Sequence, residues 1–358
     1  MSVAPKKDDV EKGWKKSTVR SIRRVLTETP GDEWYSFFKK YDTDGNDLIP
    51  MERFKKFIHE DAVQLSLTTE EVDELLRNAD TNGDNFIDFA EFAALMTQIK
   101  KMYLKRAEIF AARTVLPRRQ QSVRARQLLR YNCCPPPIFL ILISIVEVGV
   151  FVYQRKECGW KMCFLDEIFV VKYDSPWEIW RYFTYMFFHA SYDHLWGNVT
   201  MTLMVGSTLE LAHRWRIALV YILGSASAGL FSEAVHCSNN NRMGGASGAF
   251  FALLAAHLSN VALNWDEMEH PYTHTILVTL YMSGEIFSAV NFRAKGIYSD
   301  VSYSAHIGGF IAGVLLGILL LRNVVQEKWE VTFKKTALVL YVLMHVLCII
   351  LIIMKYSN

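Results

Sequence analysis

The chain has almost no net charge: 39 Lys and Arg stand against 37 Asp and Glu, leaving +2 over 358 residues. No global field therefore points to nucleic acid, and that partner class is set aside. Residues 1–30 lack an apolar core; they are basic and polar, read as disordered, and contain no signal peptide. This part is expected to begin in the cytosol. Zinc spacing is also lacking among the six cysteines. Cys133 and Cys134 precede the first apolar run and are palmitoylation candidates. Cys348 lies in the last run. Cys158, Cys163 and Cys237 fall in loops on the far side, where a Cys158–Cys163 or loop–loop disulfide fits.

Charge is concentrated in the first third, where residues 31–100 read as two helix–loop–helix units. Trp34, Phe37, Phe38 and Tyr41 recur at helical spacing before Asp42-Thr43-Asp44-Gly45-Asn46-Asp47. Val72, Leu75, Leu76 and Ala79 do the same before Asp80-Thr81-Asn82-Gly83-Asp84-Asn85. The distance from Asp42 to Asp80 suits paired calcium loops, and the region resembles an EF-hand pair. Calcium takes about six to eight oxygens from loop positions 1, 3, 5, 7, 9 and 12. The second loop supplies Asp80, Asn82, Asp84, the Phe86 carbonyl, Asp88 and Glu91. Its sixth position is Asn85, which tolerates the left-handed conformation. The first loop offers Asp42, Asp44 and Asn46, but Asp47 stands at the glycine position and Arg53 at the bidentate one. The plainer alternative is a structural helix pair that has lost its metal, with Ile49 still pairing with Ile87.

Residues 101–135 form a basic linker (Lys105, Arg106, Arg113, Arg118, Arg119, Arg124, Arg126 and Arg130) suited to anionic lipid or simply to a solvated helix. It marks its side of the membrane as cytosolic. Seven apolar runs follow, at 137–154, 191–211, 217–236, 246–263, 274–291, 303–321 and 337–354. Each approaches the ~20 residues that a bilayer core demands. An odd number places the C-terminus opposite the N-terminus. The expected fold class is all-α: a polytopic membrane helical bundle behind a cytosolic helical domain. Residues 136–322 would form a six-helix core, and 323–358 a loop and seventh span. The loop 155–181 is apolar but too broken to span, so it is expected to lie in the membrane interface.

Polar groups gather at three span starts on the non-cytosolic side. His194 and Asn198 share one face of span two, Ser247 heads span four within Gly244-Gly245-Ala246-Ser247-Gly248, and His306 heads span six. Such groups are costly in lipid and mark function. A serine needs a base to take its proton, and His306 can accept it and return it to a leaving amine. His194, Asn198 and the Ser247 amide can meet the oxyanion. Gly309 and Gly313 make a small-residue face that lets span six pack against the Gly248–Ala252 face of span four. Taken singly, each piece has a plain structural reading: a packing glycine pair, or a satisfied polar histidine. The nucleophile-elbow pattern is not met, because Ala249 replaces its last glycine.

From about residue 130 to 354 the chain resembles a rhomboid intramembrane serine protease. The matching residues are Trp180-Arg181-Tyr182-Phe183-Thr184, His189, His194-x-x-x-Asn198, Gly206-x-x-x-Glu210, Gly245-Ala246-Ser247-Gly248 and Ala305-His306-x-x-Gly309-x-x-x-Gly313. The resemblance implies a Ser247–His306 dyad with no acidic third member, and an oxyanion hole of His194, Asn198 and the Ser247 amide. It implies a secretase-type arrangement of six spans plus one, and a serine endopeptidase that cleaves single-pass transmembrane proteins in the secretory pathway (Golgi, plasma membrane or endosome). No cofactor is implied for catalysis; calcium at the second loop would be regulatory. Phe251 departs from the tyrosine that often stacks on the dyad histidine; stacking is kept and the hydroxyl is lost. The alternatives are a non-catalytic rhomboid-like protein that holds clients, and a calcium-regulated carrier or channel. Carrier signatures are absent, and Glu147, Glu210, Glu233 and Glu285 read as structural hydrogen-bonding groups.

Overall fold

A computed structural model describes residues 32–62, 69–118, 121, 137–159, 164–235, 242–295, 301–321 and 328–357. Cys133, Cys134, Cys163, Cys237, the disorder read over residues 1–30 and most of the basic linker past Arg118 lie outside them. The chain divides into two compact units after Ala107. The boundary falls inside the segment read as a linker, and that segment is helical as far as Val115.

The first unit contains α1 (Asp32–Lys39), α2 (Met51–Ala62), α3 (Thr69–Arg77) and the first part of α4 (Phe89–Val115). Apolar residues three and four apart make one face of each helix, and those faces close over Trp34, Phe38, Phe54, Val72, Leu76, Phe92 and Met96. Phe92 sits at the centre, with Phe38 at 5.5 Å and Phe54 at 6.0 Å between ring centroids. Strands β1 (Ile49–Pro50) and β2 (Phe86–Ile87) pair antiparallel, with Ile49 opposite Ile87. Asp47 (φ 61°) and Asn85 (φ 62°) adopt the left-handed conformation that each loop needs at its sixth position.

Among the described residues the second unit is an all-α bundle built on seven long helices: α5 (Ile138–Cys158), α8 (Tyr192–His213), α9 (Arg216–Val235), α10 (Ser247–Leu263), α11 (Pro271–Ala294), α12 (Tyr303–Leu320) and α13 (Lys328–Ser357). Five of them are long and apolar enough to cross a membrane, and the protein is an integral membrane protein. The two below that threshold are α8 and α10. The first carries His194, Asn198 and several threonines, and the second has 17 residues. Both carry candidate site groups, so polarity and shortness are concentrated where the chemistry is expected.

Helix α10 is apolar on every side and buried along most of its length, as a central helix must be. Small residues set its distance to α12. A Cβ on Gly309 would lie 2.3 Å from the Gly248 carbonyl oxygen, and one on Gly313 would lie 2.3 Å from that of Ala252. The two backbones are therefore in direct contact. Helix α13 is fastened to α9 by polar contacts: Tyr341 Oη meets Ser227 Oγ at 2.9 Å, and Tyr356 Oη donates to Glu233 Oε1 at 2.8 Å.

Between α5 and α8 the chain forms α6 (Phe164–Phe169), strand β3 (Val171–Lys172), α7 (Arg181–Thr184) and a 3₁₀ turn at Tyr185–Phe187. Trp177, Ile179 and Trp180 are exposed on this segment, which suits a membrane interface. Strand β3 pairs antiparallel with β4 (Arg242–Met243), so the long loop is tied to the residues just before Ser247. Glu167 reinforces that tie by bonding both Lys172 and Arg242, and these two cations hold its carboxyl below the ordinary range.

Candidate active site

The loop that delivers Ser247 is held by backbone contacts available only to small residues. Gly245 has φ +125°, and its N–H donates to the Tyr185 carbonyl at 2.9 Å. A Cβ there would lie 2.6 Å from Cε1 of His194. Gly244 passes just as closely over Phe188. The Ala246 N–H donates to Nε2 of the buried His189 at 3.4 Å. Ser247 then opens α10, and a helix start leaves its first N–H groups without intrahelical acceptors.

Helix α8 brings the second set of groups. Ser191 caps it by accepting the His194 N–H at 3.2 Å, which fixes His194 in the first turn. Asn198 lies one turn further and is buried. Its amide nitrogen has no hydrogen-bond partner among the described residues. That donor is available to a developing negative charge.

His306 comes from the first turn of α12. Ser302 caps that helix, and Ser302 and Ser304 both contact Ser232 Oγ on α9, at 2.9 and 2.8 Å. The imidazole stacks on Phe251 at 4.2 Å with 20° between planes. Phe251 is one helical turn past Ser247, and Gly309, three residues past His306, touches the Gly248 backbone. The two helix starts that carry the hydroxyl and the imidazole thus face each other. Among the described residues no hydrogen bond joins Ser247 Oγ to the ring. The bond His306 does make is from Nδ1 to Glu285 Oε2 on α11, at 3.2 Å.

The remaining motif residues build the scaffold. Glu210 accepts the Phe139 and Leu140 N–H groups at 2.8 and 3.0 Å, capping α5, while Gly206 makes room for Leu140. Arg181 donates to the Val170 carbonyl at 2.9 Å and pairs with Glu178, and Tyr182 Oη donates to the Pro176 carbonyl. Glu147 and Glu233 accept from Tyr221 and Tyr356, as structural groups would. Cys158 is disulfide-bonded to a residue outside the described set.

The calcium loops differ from each other. In the second, Asp80 accepts the Gly83, Asp84 and Asn85 N–H groups, and Glu91 accepts those of Thr81 and Asp88. Burial alone would raise the Glu91 carboxyl, but these bonds outweigh it and keep the group below its ordinary range. Among the described residues no lysine or arginine pairs with that ring of oxygens, whereas the cations lie in the other loop. In the first loop, Lys39 Nζ lies 2.8 Å from Asp42 and 2.7 Å from Asp47, which lowers the Asp42 carboxyl and raises the Lys39 ammonium. Arg53 reaches Thr43 and Asp44. Two protein cations therefore sit among the three aspartates of the first loop. Among the described residues no three His, Cys, Asp or Glu side chains converge as a metal centre.

A family profile described as an EF-hand domain pair matches residues 32–97, and one described as a Rhomboid domain matches residues 176–323. Inactive rhomboid-related protein 2 of Caenorhabditis elegans is 30% identical over 334 residues, covering 91% of this chain and 95% of the relative. The chain belongs to the rhomboid family. Rhomboid-related protein 3 of Homo sapiens is 28% identical over 338 residues, 84% of this chain and 83% of that one. Rhomboid-type serine protease 2 of Emericella nidulans is 27% identical over 157 residues, 43% of this chain and 30% of the relative. One of these names says inactive and another says protease. Rhomboid membership alone therefore leaves catalysis to be argued from the side chains.

Three participants escaped the sequence reading. His189 stood in the matching motif without a role, and the structure makes it the acceptor for Ala246. Lys39 was not connected with the first loop; a basic residue three before the first loop carboxylate was the available signal. Glu285 was read as a structural hydrogen-bonding group. Its signal was an acid well inside an apolar run.

Proposed function

We propose that this rhomboid is an intramembrane serine endopeptidase acting on single-pass transmembrane proteins, within or next to the spanning helix. The observation that carries the reading is the backbone contact of α10 and α12, which sets Ser247 and His306 on facing helix starts. The unpartnered Asn198 amide on the neighbouring helix completes it.

The hydroxyl of Ser247 adds to the scissile carbonyl carbon as His306 takes its proton. The oxyanion is met by the Ser247 N–H, Asn198 and His194. The imidazolium protonates the leaving amine, and water then hydrolyses the acyl-enzyme with His306 as base. A substrate helix must unwind to expose its peptide bond, so helix-weak residues such as glycine near the cleavage point favour turnover. The cysteine-bonded end of α5 fits an oxidising compartment on the site's side, with the N-terminus cytosolic and the protein in a secretory-pathway membrane. Expression of wild type and Ser247→Ala with a tagged single-span substrate tests the reading; undiminished ectodomain release from the variant would refute it. Asn198→Ala is expected to lower kcat on the order of 10²-fold with little change in KM, as loss of one oxyanion donor does. Steady-state kinetics on the purified chain check this.

Calcium belongs to the second loop in this reading. Asp80, Asn82, Asp84, the Phe86 carbonyl, Asp88 and Glu91 would hold it, and its charge would reorganise the helix pair. The first loop would have to expel Lys39 before an ion could enter. Calorimetry on the full chain is expected to show one calcium site, lost in Asp80→Ala and kept in Asp42→Ala. Absence of calcium-dependent heat in the wild type would make the unit a structural helix pair.

A client-holding function without proteolysis is the second reading, favoured by the name of the relative that aligns over most of this chain. It predicts that Ser247→Ala leaves every phenotype unchanged.

A further inference from the structure

The imidazole of His306 is enclosed on three sides. Phe251 covers one face at 4.2 Å, Tyr303 meets it edge-on at 5.9 Å between centroids, and Glu285 Oε2 lies 3.2 Å from Nδ1. Among the described residues no group is bonded to Nε2. Glu285 comes from α11, a helix separate from those that carry Ser247 and His306. Its side chain is 29% accessible, so it is neither sealed in the core nor freely solvated. An ionised carboxylate accepts only, so the ring must carry its proton on Nδ1, and the lone pair is left on Nε2.

We propose that Glu285 is a positioning residue for the base, a third member held against His306 behind the Ser247–His306 pair. This rests on the protease reading above. While Ser247 Oγ bonds to the substrate carbon, its proton passes to Nε2. The Nδ1–H stays hydrogen-bonded to the carboxylate, whose charge offsets the imidazolium. The Nε2 proton then goes to the leaving nitrogen as the C–N bond breaks. Glu285 itself is neither protonated nor bonded to substrate. Phe251 fixes the ring's plane, and Glu285 fixes its rotation within that plane and its tautomer.

The test is phosphonylation of Ser247 by a small fluorophosphonate probe on the purified full-length protein, which requires an activated serine but no docked substrate. Wild type, Ser247→Ala, Glu285→Leu, Glu285→Gln and Glu285→Asp are compared for the maximal inactivation rate and for the probe's apparent affinity. Glu285→Leu is expected to lower the maximal rate about 10–100-fold with apparent affinity within about twofold, a loss in the range of acid–base assistance. Glu285→Gln keeps an acceptor without charge and falls in between; Glu285→Asp recovers most of the rate. The thermal midpoint of Glu285→Leu stays near wild type. A rate in Glu285→Leu within threefold of wild type overturns the proposal and leaves the protease reading standing, as does a loss matched by unfolding or not rescued by aspartate. Labelling absent from wild type, or equal in Ser247→Ala, removes the protease reading and this inference with it.

Discussion

Ser247→Ala, His306→Ala and the double variant are expected to bring substrate turnover to one common floor, at least about 10⁴-fold below wild type. A hydroxyl without its base is a weak nucleophile, and a base without the hydroxyl has no proton to move. Residues that act as one unit are strongly non-additive, so the double variant falls no further than either single change. Both side chains sit at helix starts whose caps and backbone contacts they do not supply. Ser302 caps α12, and the Ser247 loop hangs on Gly245, Ala246 and His189. Fold and thermal midpoint should therefore remain close to wild type for Ser247→Ala. Initial rates on a reconstituted single-span substrate measure the effect. Additive losses from the two single changes would mean that the groups do not act together.

Gly309→Ala is expected to have the next largest effect, through geometry alone. The added Cβ would stand 2.3 Å from the Gly248 carbonyl oxygen, far inside contact distance, and its neighbour is backbone rather than a yielding side-chain tip. Helix α12 must move away from α10, and overpacking of this kind costs about 1–3 kcal/mol. The displacement also carries His306 away from Ser247. A shift near 1 Å costs on the order of 10²-fold in rate. Gly284→Ala on α11 is the matched control, since nothing lies within 4 Å of its Cβ. Thermal melting and turnover together read the result; near-wild-type behaviour of Gly309→Ala would mean that the close contact does not set the site.

Much of the bundle was legible because its elements carry local signals. Six of the seven apolar runs became helices within about four residues of the expected limits; the last, expected at 337–354, is helical over Lys328–Ser357. The exceptions are informative. Span two was expected to be a span like the others, yet α8 carries too many polar groups to qualify by hydropathy. The basic segment after residue 100 reads as a lipid-binding linker or a solvated helix, and α4 does continue through it to Val115. Charge composition reports solvent and does not by itself choose between helix and coil. In the first calcium loop, sequence position singled out Asp47 and Arg53, while the ion pairs of Lys39 depend on how α1 enters the loop.

By itself the sequence determined which residues are able to do chemistry: one hydroxyl among glycines, imidazoles at helix starts, a donor amide, and oxygen ligands at calcium spacing. These follow from residue type and local periodicity, which need no third dimension. Only the tertiary structure decided which groups meet. Phe251 lies over His306, Gly245 against His194, and Glu285 beside Nδ1, because four helices distant along the chain pack together, two of them at a separation set by missing side chains. Pairing across such separations depends on the volume left between elements, and no local pattern encodes that.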